Sequence, residues 1–210
     1  MDLFKPSPCP LLAILRGLTP AEAPAVGRIL FDAGFRMFEV PLNCPGALDA
    51  IHALLRIAPD DALIGAGSVL SVREVETVQE AGGRLIASAH YAPEVISHAA
   101  RHGMIALPGV ATPTEAFQAI EAGAYGLKLF PAEMIPPPAV KAMRAVLPVE
   151  TPLLPVGDIQ PHNMAAYVAA GASGIGIDSV LYRPRIDENA LKRAADSFMT
   201  ARRNLLNESF

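Results

Sequence analysis

Tryptophan is absent from this 210-residue chain, and only four tyrosines and two cysteines occur. With so few aromatic rings and no basic run, a stacking platform for single-stranded nucleic acid is not expected. A net charge of −4 likewise argues against the basic face that binds a phosphate backbone. It does not exclude a small anionic substrate, because a few local donors suffice for one phosphate. Cys9 and Cys44 form no C-x-x-C pair and read as free thiols of a reducing cytosol. No run of eighteen apolar residues occurs, so no membrane-spanning helix is expected. The apolar stretch near the N-terminus ends at Arg16 and lacks a clear basic leader and small-residue cleavage site. It reads as a buried first strand.

What the chain does have is apolar residues, 51% of the total, enough for a large core. It also has an internal rhythm. Five segments end in the same signal, DAGF, EAGG, RHGM, EAGA and AAGA, with glycines at 34, 82, 103, 123 and 171. Each glycine suits the left-handed position that stops a helix, and an apolar run follows each. Short apolar runs give eight candidate strands, at 11–16, 37–42, 63–69, 84–88, 104–107, 126–130, 153–156 and 174–177. Amphipathic stretches lie between them. Thr19-Pro20 and Thr112-Pro113 read as a cap followed by proline at the first helical position. Ser71 to Glu74 reads as a capping box. A last amphipathic helix is expected from Asp187, fraying at 207–210. Strict β/α alternation without a long linker predicts a parallel α/β fold: one domain over 1–210, a (β/α)8 TIM barrel. An open doubly wound sheet is the alternative.

In such a barrel the chemistry sits at the C-terminal ends of the strands. Taken in order, those ends are Arg16, Glu39 with Asn43, Ser68, Ser88 with His90, Lys128, Gly157-Asp158 and Asp178-Ser179. Glu39 and Lys128 are out of place in apolar strands, since such residues are almost never fully buried unless paired. A desolvated lysine near other cations is driven toward the neutral amine, which attacks carbonyl carbon. A carboxylate on another strand can then move protons through the carbinolamine, imine and enamine stages. The competing reading is a buried ion pair that only fills the barrel, a poor source of stability.

From about residue 11 to 184 the chain resembles the 2-keto-3-deoxy-6-phosphogluconate and 6-phosphogalactonate aldolases. The resemblance rests on Ala-Ile-Leu-Arg-Gly (13–17), Phe-Glu-Val-Pro-Leu-Asn (38–43), Ile-Gly-Ala-Gly-Ser-Val-Leu (64–70) and Pro-Gly-Val-Ala-Thr-Pro-Thr-Glu-Ala (108–116). It continues in Leu-Lys-Leu-Phe-Pro-Ala (127–132), Pro-Val-Gly (155–157) and Leu-Tyr-Arg (181–183). It implies that Lys128 is the Schiff-base lysine and Glu39 the general acid/base. It implies that Arg16 and Ser68 lie near the keto-acid carboxylate. It puts Gly157 and Ser179 in the two loops that hold a substrate phosphate. Pyruvate would be one product, no cofactor or metal is implied, and the assembly would be a homotrimer. Asn43 and Val156 resemble the galactonate branch. A threonine hydroxyl in place of Val156 could bond one C4 epimer and not the other.

Three departures stand out. Asp158 and Asp178 occupy positions where the family resembles glycine. Either both point outward and phosphate binding survives, or the protein prefers an unphosphorylated keto acid. Third, Ala89-His90 follows Ser88 where the family resembles a proline followed by glycine or asparagine. His90 thereby adds a titratable group near the pyruvate end, as a catalytic or merely a surface residue. Beyond the phosphorylated hexonate, the rivals are another keto acid and a non-catalytic ligand-binding barrel.

Overall fold

The computed structural model describes residues 9–207. Strands β1 (Leu11–Ile14), β2 (Met37–Pro41), β3 (Leu63–Gly67) and β4 (Leu85–Ala87) alternate with helices α1 (Ala23–Ala33), α2 (Ala47–Leu55), α3 (Val72–Glu80) and α4 (Pro93–Arg101). The second half runs β5 (Ile105–Leu107), β6 (Gly109–Val110), α5 (Pro113–Glu121), β7 (Leu127–Leu129), α6 (Pro137–Val146), β8 (Leu153–Pro155), α7 (Met164–Ala169), β9 (Ile175–Ile177) and α8 (Glu188–Asn207). The fraying expected at the C-terminus falls largely on residues 208–210, outside the described residues, as do the first eight residues of the N-terminal stretch.

Every strand pair is parallel. Six strands form one sheet in the order β5-β4-β3-β2-β1-β9, and three form a second in the order β6-β7-β8. The split comes from Pro108, which has no N–H to give to a ladder. On one side of it β5 pairs with β4; on the other β6 pairs with β7. The fifth run expected from sequence, 104–107, is β5, and β6 beyond Pro108 is a further short strand that was not expected. The Pro108 carbonyl still accepts the Lys128 N–H at 2.9 Å. At the other seam Val156 bridges Gly176, and the Ser173 N–H donates to the Leu153 carbonyl at 2.8 Å.

The helix boundaries follow local chemistry. Ser71 and Thr112 each accept from the N–H three residues on, and Glu74 and Glu115 reach back, so α3 and α5 open on complete capping boxes. All five helix-stopping glycines have positive φ, between 69° and 107°. Thr19-Pro20 behaves otherwise than expected. The Thr19 hydroxyl donates to the Glu22 carboxylate at 2.7 Å, which stabilises a turn, and α1 starts only at Ala23. Among the described residues no helix is long and apolar enough to cross a membrane.

Side chains alternate across each strand, and this decides what faces where. Leu11, Ala13, Phe38, Val40, Leu127 and Leu129 join the large core beneath the helices. Leu12, Ile14, Met37, Leu63, Leu85, Leu107, Leu154 and Val156 form a second, inner core. Glu39 stands two places after Met37, and Lys128 lies between the outward Leu127 and Leu129. Both therefore fall on the inner side. In register, Glu39 lies opposite Ile14 and Gly65, and Lys128 opposite Gly109 and Leu154.

Candidate active site

Lys128 and Glu39 meet inside, from strands far apart in the chain. Lys128 Nζ donates to Glu39 Oε1 at 3.2 Å and to Oε2 at 3.0 Å. Their exposures are 5% and 2%, so water screens the pair very little. Gly67 makes the room. A Cβ built there would lie 2.0 Å from Glu39 Oε1. Any side chain at position 67 would displace the carboxylate.

Above the pair opens a pocket of about 370 Å³, counting its solvent-filled mouth, lined by Ile14, Arg16, Glu39, Ser68, Ala89, Lys128, Phe130, Val156 and Asp178. Besides Glu39 in β2 and Lys128 in β7, the lining comes from the C-terminal ends of β1, β3, β4, β7, β8 and β9. This is where parallel α/β folds gather their chemistry. Arg16 is exposed and donates to the Asn43 side-chain oxygen at 3.1 Å, which restricts where its charge can point. Ser68 follows β3 with φ +54°, an uncommon backbone for a non-glycine residue and one that recurs at functional sites. Val156 is buried and presents a methyl surface rather than a hydroxyl.

Of the residues singled out from sequence, the pocket thus brings together Lys128, Glu39, Arg16, Ser68, Val156 and Asp178. Gly157, Asp158 and Ser179 stand beside it and do not line it. The two aspartates behave differently. Asp178 faces the pocket. Asp158 sits at φ +47° and accepts from the Gln160 side chain at 3.3 Å, with its carbonyl taking the Asn163 amide at 3.1 Å. Ser179 is exposed and its hydroxyl donates to Asp178 at 3.4 Å. Ser88 is buried, its hydroxyl donating to the His90 carbonyl at 2.7 Å. That bond turns the chain so that Ala89 lines the pocket while the His90 side chain is exposed.

Two lining residues were missed, and one residue beside the pocket. Ile14 and Phe130 look like ordinary core residues in sequence. Glu133 is the third. Its carboxylate lies 2.4 Å from where a Gly157 Cβ would be, over the bare face of that glycine. The Tyr167 hydroxyl is pushed up in pKa by burial first, and then by the Glu133 and Asp158 charges. Glu133 follows a Phe-Pro turn and breaks no strand pattern, so periodicity gives no reason to mark it.

The model of the family described as "Aldolase: KDPG and KHG aldolase" matches residues 7–195. The chain belongs to the KDPG and KHG aldolase family. Its reaction class is carbon–carbon bond cleavage. A 2-dehydro-3-deoxy-6-phosphogalactonate aldolase of Escherichia coli is 43% identical over 194 residues, covering 92% of this chain and 95% of the relative. A Rhizobium meliloti protein named "Probable 2-dehydro-3-deoxy-6-phosphogalactonate aldolase" is also 43% identical, over 91% of both chains. A solved structure titled "Native KDPGal structure" superposes with a TM-score of 0.92 at 42% identity, covering 94% of this chain and 96% of that one.

Proposed function

We propose that this member of the aldolase family is an imine-forming (class I) enzyme that cleaves 2-dehydro-3-deoxy-6-phosphogalactonate to pyruvate and glyceraldehyde 3-phosphate. The observation that carries the reading is the buried Lys128–Glu39 contact at the floor of an otherwise mostly apolar pocket. Both members are held off bulk water, so a proton given up by the ammonium has an acceptor 3.0 Å away. The freed amine adds to the C2 carbonyl. Glu39 returns the proton to the departing hydroxyl, and loss of water leaves the iminium. Glu39, through a water, then takes the C4 hydroxyl proton. The C3–C4 electron pair moves into the iminium as the aldehyde leaves. The resulting enamine is protonated at C3, and water releases pyruvate and regenerates the lysine. Electrons balance within the substrate, and no oxidant is needed.

Arg16, held by Asn43, is assigned the keto-acid carboxylate, with Ser68 as a second donor. Val156 supports the galactonate epimer, because it offers no hydroxyl to the gluconate C4. Gly157 and Ser179, in the loops after β8 and β9, are assigned to the distal phosphate, the usual place for one in a barrel. The two sheets are read as one closed (β/α)8 barrel and one domain over 1–210. The hydrogen bonds across Pro108 and between Leu153 and Ser173 support this. A cytosolic homotrimer is proposed from the family resemblance, testable by light scattering. The mechanism is tested by borohydride reduction in the presence of pyruvate. One pyruvyl adduct on Lys128 is expected, with none in Lys128→Ala. An unchanged turnover in that variant would sink the proposal.

A further inference from the structure

Glu22 does not line the pocket, yet its carboxylate ties the turn that carries Arg16 to the segment after β9. Oε2 accepts from the Thr19 hydroxyl at 2.7 Å, and Oε1 accepts from the Arg185 N–H at 3.0 Å, 163 positions away in the chain. The Thr19 oxygen in turn accepts from the Glu22 N–H at 3.3 Å. Burial opposes the charge of Glu22, but these bonds outweigh it: the Thr19 hydroxyl does most to hold the carboxyl below its ordinary pKa, and the Arg185 N–H adds to it. The segment it grips is itself anchored. The Leu181 and Tyr182 N–H groups both donate to the Asp178 carbonyl, at 2.9 and 3.1 Å. Tyr182 is 1% exposed. Its hydroxyl has no aligned hydrogen-bond partner among the described residues and lies within reach of the same carboxylate; burial first, and then the Glu22 charge, push its pKa up.

Arg16 is flanked by what Glu22 holds. Its neighbour Gly17 packs on Pro184, the residue before Arg185, and a Cβ at Gly17 would lie 2.7 Å from Pro184 Cγ. Pro20, the residue after Thr19, packs on Gly46, where a Cβ would lie 3.1 Å from Pro20 Cδ. Gly46 ends the loop from β2 whose Asn43 accepts from Arg16 at 3.1 Å. Arg16 is exposed, and a long exposed side chain has many rotamers to lose when it binds. Its guanidinium pairs well with a carboxylate only when the planar fork is aimed at it. We infer that Glu22 is a positioning residue for Arg16: by gripping Thr19 and the Arg185 N–H it fixes the Arg16 backbone and the Asn43 loop, so that the guanidinium meets the keto-acid carboxylate. This rests on the assignment of that carboxylate to Arg16 made above.

The test is kcat and KM for 2-dehydro-3-deoxy-6-phosphogalactonate in the wild type, Glu22→Gln, Arg16→Gln and the double variant, beside borohydride trapping of pyruvate on wild-type Lys128. Glu22→Gln keeps the shape, but one end of its amide donates and cannot accept at both grips. KM should rise at least about fivefold while kcat stays within about twofold, because the Lys128–Glu39 pair is untouched. With Arg16 already replaced there is no guanidinium to aim, so Glu22→Gln should then add less than about twofold. A Glu22 that only stabilises the fold would lower Tm and leave KM within twofold, and that result overturns the inference. So does a fivefold rise that persists in the Arg16→Gln background. Thr19→Val removes one grip at an exposed position, in case Glu22→Gln fails to fold. It should raise KM at least about threefold, and an unchanged KM there also overturns the inference. Pyruvate trapping separates the two levels. Trapping with an unmoved KM overturns only the positioning role. No trapping in the wild type overturns the imine reading and the inference with it.

Discussion

Replacing Gly67 by alanine tests the active-site geometry without touching either charged residue. The new Cβ would stand 2.0 Å from Glu39 Oε1, 2.5 Å from Cδ and 2.6 Å from Cγ, where real Cβ contacts are essentially never under 3.0 Å. The carboxylate must retreat by at least about 1 Å, a misplacement that can cost about 10²-fold in rate when it affects a catalytic group. Gly67 is not among the positive-φ glycines, so alanine meets no backbone strain there. Overpacking of this kind costs about 1–3 kcal/mol, and each kcal/mol lowers Tm by about 2–4 °C in a domain of this size. The expected outcome is a folded protein with kcat/KM about a hundredfold down. Steady-state kinetics and circular dichroism read the two effects separately. The decisive comparison is a double-mutant cycle. In a Glu39→Ala background the space is already free, so Gly67→Ala should add almost nothing. Wild-type kcat/KM in Gly67→Ala, or full additivity in the cycle, would refute the reasoning.

Glu115 predicts a pH dependence of stability. Its carboxylate accepts from the Ala111 and Thr112 N–H groups and from the Thr112 hydroxyl, each at 2.9 Å, and the Ala111 bond does most to hold its pKa below the ordinary 4.5. A depressed folded pKa means the contribution is whole above the unfolded value and is lost as pH falls through the lower folded one. Urea midpoints measured below about pH 5 should therefore fall less steeply in Glu115→Gln, and parallel curves would count against the cap. Cys9 is buried, and burial pushes its thiol up to about 11, with Arg202 opposing in part. Iodoacetamide should label Cys44 in the folded protein and Cys9 only after unfolding. Equal labelling rates by mass spectrometry would contradict that.

Much of this was legible in the residues because local rules sufficed. The helix-stopping glycines, the capping box at Ser71 and the cap at Thr112 depend on a few neighbouring positions. The inward placement of Glu39 and Lys128 follows from counting by twos along apolar strands. Three features needed the third dimension. Pro108 reads as the end of a strand, yet its two sides pair with different neighbours. Thr19-Pro20 carries a good cap signature, and the competing Glu22 side chain takes the hydroxyl instead. Glu133 lies in a short turn whose sequence gives no period. Only the fold brings it over Gly157.

The alternation along β2 and β7 also governs how this protein can change length. A single residue inserted or deleted within β2 ahead of Glu39, or within β7 ahead of Lys128, would turn that side chain from the pocket toward the helices. An even change would restore the direction but shift the residue along the strand, out of register with its partner. Insertions and deletions that preserve function are therefore confined to the loops. The eight strand positions of β2 and β7 that carry the pair, 37–41 and 127–129, behave as fixed rulers.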